Sequence, residues 1–119
     1  MSMQKDLLRR MATAITAGDT DNVDQWFTED FALHDPAIGQ CLYGHEGARQ
    51  MLQMLAETVP EARLEILDMV EEGDQVAVRW RFVGGQSGAS PDFSVMAIYR
   101  FEGGRIAEDW GVGNRAAWP

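Results

Sequence analysis

The segment FSVMAIYRFEGGRIAEDWGV, residues 93–112, contains two runs of alternating side chains on either side of Gly103 and Gly104. A period of two is typical of β-strands, and two glycines between such runs favour a tight hairpin turn. The segment therefore predicts strands over residues 93–102 and 105–112. The second strand carries Asp109 between apolar and aromatic neighbours, and we interpret this carboxylate as the leading candidate for a working group.

The rest of the chain predicts helices first and strands later. Apolar spacings of three and four residues indicate helices over residues 4–17 and 45–59, and Asp21 is expected to cap a short helix that ends near Phe27. Residues 31–35 predict a short strand, and residues 64–71 and 75–84 predict two more. This order indicates a single α+β domain over residues 1–119, with three N-terminal helices packed on a curved, mostly antiparallel sheet.

Composition excludes several classes of function. The net charge of −9 argues against nucleic acid and anionic membranes as partners. The first residues lack the apolar core of a signal peptide, so a cytoplasmic location is expected. Cys41 is the single cysteine, which leaves no intrachain disulfide and no cysteine-based zinc site. No base and no glycine-rich elbow stand beside Cys41 in the sequence, which argues against a catalytic thiol.

Four stretches carry a family resemblance. They are EDFALHDP at 29–36, GHEGARQML at 44–52, VAVRWRF at 76–82 and MAIYRFEGGRIAEDW at 96–110. In order and spacing the chain resembles the SnoaL-like family of polyketide cyclases and ester cyclases, within the NTF2-like superfamily. The resemblance implies a cone-shaped α+β barrel with a deep apolar pocket, a homodimer formed through the sheet, and no metal or cofactor. It also implies an aldol ring closure in which a pocket aspartate moves protons.

The chain departs from the family pattern at two positions. Many relatives read E-H-W-D near the end of the last strand, where this chain reads Glu108, Asp109, Trp110 and Gly111. Relatives often carry a polar residue near position 97, which is alanine here. The usual acid–base pair is therefore missing. Asp109 is expected to substitute for it, because residues two apart on a strand share a face.

Each candidate catalytic residue has a structural alternative. Asp109 is either a proton-transfer group in an apolar site or a solvent-facing residue paired with an arginine. His34 either reaches the pocket mouth or has no catalytic role, and Asp35 either orients it or forms a turn with Pro36. His45 is expected to begin a helix rather than to bind a ligand. Histidines and carboxylates in this arrangement do not predict a metal site.

Other side chains are candidates for the pocket wall and the dimer face. Tyr43 either donates a hydrogen bond to a substrate oxygen or packs at the surface. Three arginines, Arg79, Arg81 and Arg100, either meet Glu65 and other acids of a partner sheet or form an exposed charge ladder. The complete set of expected pocket residues is Trp26, Tyr43, Met51, Leu55, Trp80, Met96 and Trp110.

Several functions fit this pattern. The first is a cofactor-independent cyclase or isomerase that uses acid–base chemistry on an apolar, oxygenated small molecule. The second is a non-catalytic ligand-binding or dimerisation domain of the same fold, which the residues at positions 97 and 111 favour. An epoxide hydrolase-like activity is a further alternative. The stretch GGQSGASPD, residues 84–92, is expected to form a mobile loop that covers the pocket as a lid.

Overall fold

A computed structural model describes residues 2–84 and 92–119, and within them the chain forms three helices and six strands. The helices are α1 (Met3–Thr16), α2 (Val23–Trp26) and α3 (Gly44–Thr58). The strands are β1 (Phe27–His34), β2 (Leu42–Tyr43), β3 (Arg63–Glu72), β4 (Gln75–Val83), β5 (Phe93–Glu102) and β6 (Arg105–Asn114). The α+β prediction is confirmed. The expected lid falls mainly in residues 85–91, which lie outside the described residues.

The six strands form one mixed sheet in the order β2-β1-β6-β5-β4-β3. Strands β3 to β6 are the predicted antiparallel meander. β1 then joins the meander by parallel pairing with β6, which places Leu33 beside Asp109. β2 is only two residues long and pairs with the end of β1. It was not predicted, because two residues are too few to show a period.

The prediction of three N-terminal helices is not confirmed in full, because α3 follows β1 and β2 in the chain and α2 is short. α1 and α3 are long and close to their predicted bounds, whereas α2 is a single turn of four residues. Its N-terminal flanking residue is Asn22 rather than Asp21, without a side-chain cap. The chain becomes extended at Phe27, where the buried ring packs 4.6 Å from that of Phe31. Burial of these rings in β1 therefore ends the helix early and begins the strand early.

One face of the sheet packs against the helices and forms the core. Along β4, the alternate residues Val76, Val78 and Trp80 point inward and are almost fully buried. On β6 the same alternation turns Ala107 and Asp109 inward. α1 and α3 cover this face with apolar side chains, among them Leu7, Leu8, Met11, Ala48 and Leu52. Asp109 is therefore a carboxylate on the core side of the sheet.

The outer face of the sheet carries the three arginines in ion pairs within the chain. Arg79 donates two hydrogen bonds of 3.0 Å to Asp68. Arg81 contacts Asp92 and Glu65. Arg100 forms ion pairs with Glu108 and Glu102. Glu65, which was expected to come from a partner sheet, thus binds an arginine of its own chain. Exposed pairs of this kind contribute little to stability.

α3 approaches β2 so closely that one helical position has no room for a side chain. A Cβ atom at Gly47 would lie 2.8 Å from the carbonyl carbon of Leu42 and 3.1 Å from its Cβ. The first contact is with backbone and cannot be relieved by a rotamer change. Gly47 therefore sets the distance between this helix and the edge of the sheet.

We expect Gly47→Ala to destabilise the fold. Alanine gains about 1 kcal/mol over glycine inside a helix, but overpacking against backbone costs about 1–3 kcal/mol. The 2.8 Å backbone contact places the cost at the upper end of this range, so the expected net loss in the free energy of unfolding is about 2 kcal/mol, measured by urea denaturation. Gln50→Ala, on the exposed side of the same helix, is the control and should change little. A Gly47→Ala variant as stable as wild type would contradict the close approach.

Candidate functional site

Asp109 is the buried carboxylate at the centre of the candidate site. Its side chain is 6% exposed, and its strand neighbours are Leu33 on β1 and Tyr99 on β5. Its Oδ1 atom is buried and makes no hydrogen bond within the described part of the chain. A buried acceptor without a hydrogen-bond partner lowers the stability of the fold, and such groups are often found at functional sites.

The surroundings of Asp109 disfavour its charged form. Burial is the larger cause and the negative charge of Asp35 is the smaller, and together they raise the pKa of Asp109 from 3.8 to about 7. A carboxyl group with such a pKa holds its proton about half of the time at neutral pH. It can therefore both accept and return a proton there, as a general acid–base catalyst must.

Tyr99 places a hydroxyl group near this carboxylate. Trp80 Nε1 donates a 2.9 Å hydrogen bond to the Tyr99 hydroxyl oxygen, and both residues are buried. Burial, followed by the charge of Asp109, raises the pKa of Tyr99 well above its ordinary value, so the hydroxyl keeps its proton. Because Trp80 is the donor in their bond, the Tyr99 proton remains to be donated to another acceptor.

These groups line a cavity between the sheet and the two long helices. Its volume is about 220 Å³, and apolar side chains make up most of its wall. Among the described residues, the titratable side chains that line it are Asp109, Tyr99 and Asp35. A mainly apolar cavity with a few convergent polar groups is the usual form of a small-molecule site.

The predicted pocket residues divide between this cavity and other parts of the molecule. Met51, Leu55 and Trp80 line the cavity. Met96 and Trp110 lie on the outer face of the sheet, where they are 48% and 38% exposed. The reason is strand periodicity, because Met96 and Trp110 each adjoin an inward-facing residue, Ala97 and Asp109 respectively. These two residues belong to an outer groove instead.

The two remaining predicted pocket residues also lie elsewhere. Trp26 is buried in the core but does not line the cavity. Tyr43 is 65% exposed on β2 and lies outside the cavity. The hydroxyl in the position expected for Tyr43 is supplied by Tyr99, which sequence reasoning missed. The signal was present in the hairpin pattern, since Tyr99 lies two residues from Ala97 and so shares its face.

His34 is the last residue of β1 and Asp35 follows it. Both line the outer groove, and Asp35 also lines the cavity. Asp35 Oδ1 accepts a hydrogen bond from the backbone N–H of Ala37. Asp35 therefore stabilises the turn after β1 and also lies on the wall of the cavity that contains Asp109. His34 points to the outer face, where it contacts Glu108 at 2.9 Å. The structure does not bring His34 together with Asp109.

His45 has a structural contact in the first turn of α3. Its Nε2 atom lies 2.9 Å from the carbonyl oxygen of Phe27. This contact connects the helix to the start of β1. It agrees with the interpretation of His45 as a residue that begins a helix.

Gly111 leaves a space beside the candidate carboxylate. It pairs with Ala97 across β5 and β6, and both residues line the cavity. A Cβ atom at Gly111 would lie 3.3 Å from Asp109 Oδ1 and 3.7 Å from Ala97 Cβ. A larger residue at 111 would therefore crowd the unpartnered oxygen. With glycine there, no side chain at position 111 presses on the buried Asp109 Oδ1 atom.

Comparison with known proteins identifies the family of the fold. The family model of the SnoaL-like domain matches residues 8–109. A structure of a candidate polyketide cyclase from Bacillus cereus is 28% identical, with a TM-score of 0.78 over 94% of this chain and 74% of that one. A loop truncation variant of IdmH is 24% identical, with a TM-score of 0.80 over 93% of this chain and 92% of the other.

A more distant structure has the same fold. A SnoaL-like candidate polyketide cyclase from Jannaschia is 20% identical, with a TM-score of 0.80 over 98% of this chain and 94% of that one. At such identity the likeness concerns the fold alone. A search of curated proteins found no significant match. Within residues 2–84 and 92–119, no helix is long and apolar enough to cross a membrane.

We expect Asp109 to make stability depend on pH. Its pKa is higher in the folded protein than its ordinary value of 3.8, so the unfolded chain loses this proton first as the pH rises. Stability due to this group is complete below about pH 4 and falls until about pH 7. The rise from 3.8 to about 7 corresponds to about 4 kcal/mol of unfolding free energy.

The measurement is urea denaturation of wild type and Asp109→Asn between about pH 4 and pH 8. Asparagine cannot ionise, so the variant should be more stable than wild type at neutral pH and should show a weaker pH dependence. Asp21→Asn, at an exposed position, is the matched control and should follow the wild-type curve. Parallel curves for Asp109→Asn and wild type would show that Asp109 is not held in its neutral form.

Proposed function

This chain belongs to the SnoaL-like domain family, and from that premise we propose that it is a cofactor-independent acid–base enzyme. Its substrate would be an apolar, oxygenated small molecule, and its reaction would be of the polyketide cyclase or isomerase type. The observation that carries the proposal is Asp109, a buried and unpartnered carboxylate facing an apolar cavity. Such a group lowers the stability of the fold, and a catalytic role is a reason for a protein to retain it.

The first step would be removal of a proton from a carbon next to a carbonyl group. Asp109 Oδ1 makes no hydrogen bond within the described residues, so its lone pair has no donor to give up before it accepts a proton. The negative charge that develops on the carbonyl oxygen needs a hydrogen-bond donor in a site with little water. Tyr99 is protonated and lines the same cavity, and it would supply that donor.

The second step would consume the enolate. In a cyclase, its carbon attacks a second carbonyl of the same molecule, and the protonated Asp109 returns its proton to the new alkoxide. In an isomerase, Asp109 returns the proton to another carbon of the same system. A pKa of about 7 suits both directions of transfer, because the carboxyl can be base and acid in one cycle.

The size of the cavity limits the substrate. Its volume of about 220 Å³ is below the range of about 300–1,000 Å³ that is usual for ligand pockets. A compact substrate of one or two rings fits this volume better than a long chain. The apolar wall favours a molecule whose oxygens are few and are grouped at the end near Asp109 and Tyr99.

A second candidate function is ligand binding without catalysis. The observation that favours it is the pair Gly111 and Ala97, which offers no second polar group beside Asp109. In this case apolar ligands would raise the melting temperature and none would be converted. The two functions differ in whether Asp109 exchanges protons with a bound ligand.

Proton exchange from carbon tests the proposal without the natural substrate. A compact cyclic ketone such as 2-tetralone is incubated with the protein in deuterated water, and loss of the α-proton signal is followed by NMR. We expect Asp109→Asn to lower the exchange rate by about 10²-fold or more and Tyr99→Phe to lower it by about 10²-fold. The wild-type rate should rise with pH and level off above the Asp109 pKa of about 7.

Tyr43→Phe is the matched control, since Tyr43 is the other tyrosine and lies outside the cavity. Its exchange rate should equal that of wild type. If several ketones raise the melting temperature and none exchanges faster than in buffer, the catalytic proposal fails and ligand binding remains.

We also propose that the protein pairs into a homodimer through the outer face of its sheet. Four exposed apolar side chains lie together on β5 and β6 of this face: Met96, Ile98, Trp110 and Val112. Pairing would remove them from water, and burial of such area is the main driving force of association. The family resemblance supports the same arrangement.

Gel filtration with light scattering tests the dimer. We expect Ile98→Glu to shift the protein to a monomer, because a carboxylate at a paired apolar face loses its hydration. Met3→Glu is the control at a position that is 82% exposed on α1, and it should leave the mass unchanged. A monomeric wild type at high concentration would contradict the proposal.

A further inference from the structure

Three side chains outside the cavity form a hydrogen-bonded series on the outer face of the sheet. Cys41 Sγ lies 3.3 Å from His34 Nδ1. The other ring nitrogen of His34, Nε2, lies 2.9 Å from Glu108 Oε2. Cys41 precedes β2, His34 ends β1, and Glu108 belongs to β6. A thiol, an imidazole and a carboxylate in this order match the arrangement of a nucleophile, its base and an orienting group.

We propose that Cys41, His34 and Glu108 form a nucleophilic thiol site that captures apolar α,β-unsaturated carbonyl compounds as covalent adducts. The thiol site does not include Asp109, because His34 and Glu108 point to the opposite face of the sheet, but its groove and the cavity share the lining residues Asp35, Ala97, Gly111 and Val112. It does not depend on the proposed acid–base function.

The imidazole of His34 is held in place from two sides. Its ring stacks on Trp110, with centroids 5.3 Å apart and planes inclined by 15°. Glu108 contacts Nε2 and is itself bound by Arg100 at 2.8 Å. The hydrogen bonds from Arg100 and then His34 hold the pKa of Glu108 below its ordinary value, so it is ionised at neutral pH. An ionised carboxylate favours the imidazolium that forms when His34 takes the thiol proton.

The thiol lies beside a groove that suits an apolar molecule. The groove has a volume of about 650 Å³, and both Cys41 and His34 line it. Met96, Ile98 and Val112 supply most of the opposite wall with exposed apolar surface. Cys41 is half-buried and not in a disulfide, so its sulfur is accessible from this groove. The ligand is thus expected to carry an apolar body and a soft electrophilic carbon.

Addition of the Cys41 thiol to the unsaturated carbonyl compound needs no further reactant. His34 Nδ1 takes the proton from Cys41 Sγ, and the sulfur electron pair forms a bond to the β-carbon of the ligand. The electrons of the carbon–carbon double bond move to give an enolate. The His34 imidazolium then returns its proton to the α-carbon. Nothing is oxidised or reduced and no group leaves, so the product is a saturated thioether adduct.

N-ethylmaleimide is the probe, since it is an α,β-unsaturated imide and Cys41 is the single cysteine of the chain. The second-order rate of adduct formation is measured by intact mass spectrometry near neutral pH. A peptide of residues 38–44 provides the same thiol without the fold. We expect the native protein to react about tenfold faster than the peptide or more, because His34 Nδ1 lies 3.3 Å from Cys41 Sγ and can take its proton as the sulfur attacks. A native rate equal to or below that of the peptide would overturn the proposal.

The histidines provide a matched pair of variants. His34→Gln should reduce the rate to that of the peptide. His45→Gln is the control and should keep the wild-type rate, because His45 contacts only the Phe27 carbonyl oxygen among the described contacts. Circular dichroism confirms that each variant is folded. A His34→Gln variant that is folded and still reacts at the wild-type rate would remove His34 from the site and overturn the assignment.

Glu108 is a positioning residue, and the pH profile distinguishes its role from a structural one. The charged and titratable groups around the thiol and imidazole are Tyr43, Asp35, and Glu108 with Arg100 behind it. The pKa of Tyr43 is raised, first by a hydrogen bond with the Cys41 thiol. Glu108→Gln removes the charge that favours the imidazolium, so the rise of the rate should move to higher pH. A lower melting temperature with an unmoved profile would contradict this role.

Association of two copies over the outer face would narrow the groove. The rates are therefore measured at protein concentrations at which gel filtration shows one copy and at which it shows two. A rate above that of the peptide at either concentration supports the site. Rates at or below it at both concentrations overturn it.

Discussion

The pairing of β6 with β5 on one side and β1 on the other is the constraint on which the rest of the structure depends. It sets a common register in which Asp109 lies between Leu33 and Tyr99, and Trp110 lies between His34 and Ile98. Because side chains alternate along a strand, the first row faces the helices and the second faces outward. One strand thus supplies a carboxylate to an apolar cavity and another to a polar series on the opposite face.

Much of the fold could be predicted because its signals are local. The glycine pair at 103 and 104, the period of two in the later strands and the helical spacing of α1 and α3 each depend on near neighbours in sequence. α2 was overestimated because a short helical pattern competes with burial of Phe27 in β1. The parallel pairing of β1 with β6 has no local signal, since its partners are more than 70 residues apart.

The candidate site could be predicted only in part for the same reason. Asp109 was recognisable as a carboxylate among apolar residues, but both faces of β5 and β6 carry apolar side chains. Composition alone therefore could not show that Tyr99 faces inward and Met96 faces outward. The contact between Cys41 and His34 depends on the turn after β1, and the contact with Glu108 depends on the parallel pairing. Neither follows from the order of residues.

The small pair of Gly111 and Ala97 has a consequence for how the two faces communicate. Both residues line the inner cavity and also the outer groove. At this position the partition between the two compartments consists of little more than the peptide backbone, with one methyl group and one hydrogen attached. A charge placed on one side would thus be separated from the other side by a thin layer of peptide groups. The sheet is only one backbone layer thick here, so a charged ligand in the outer groove would influence the proton affinity of Asp109 in the cavity.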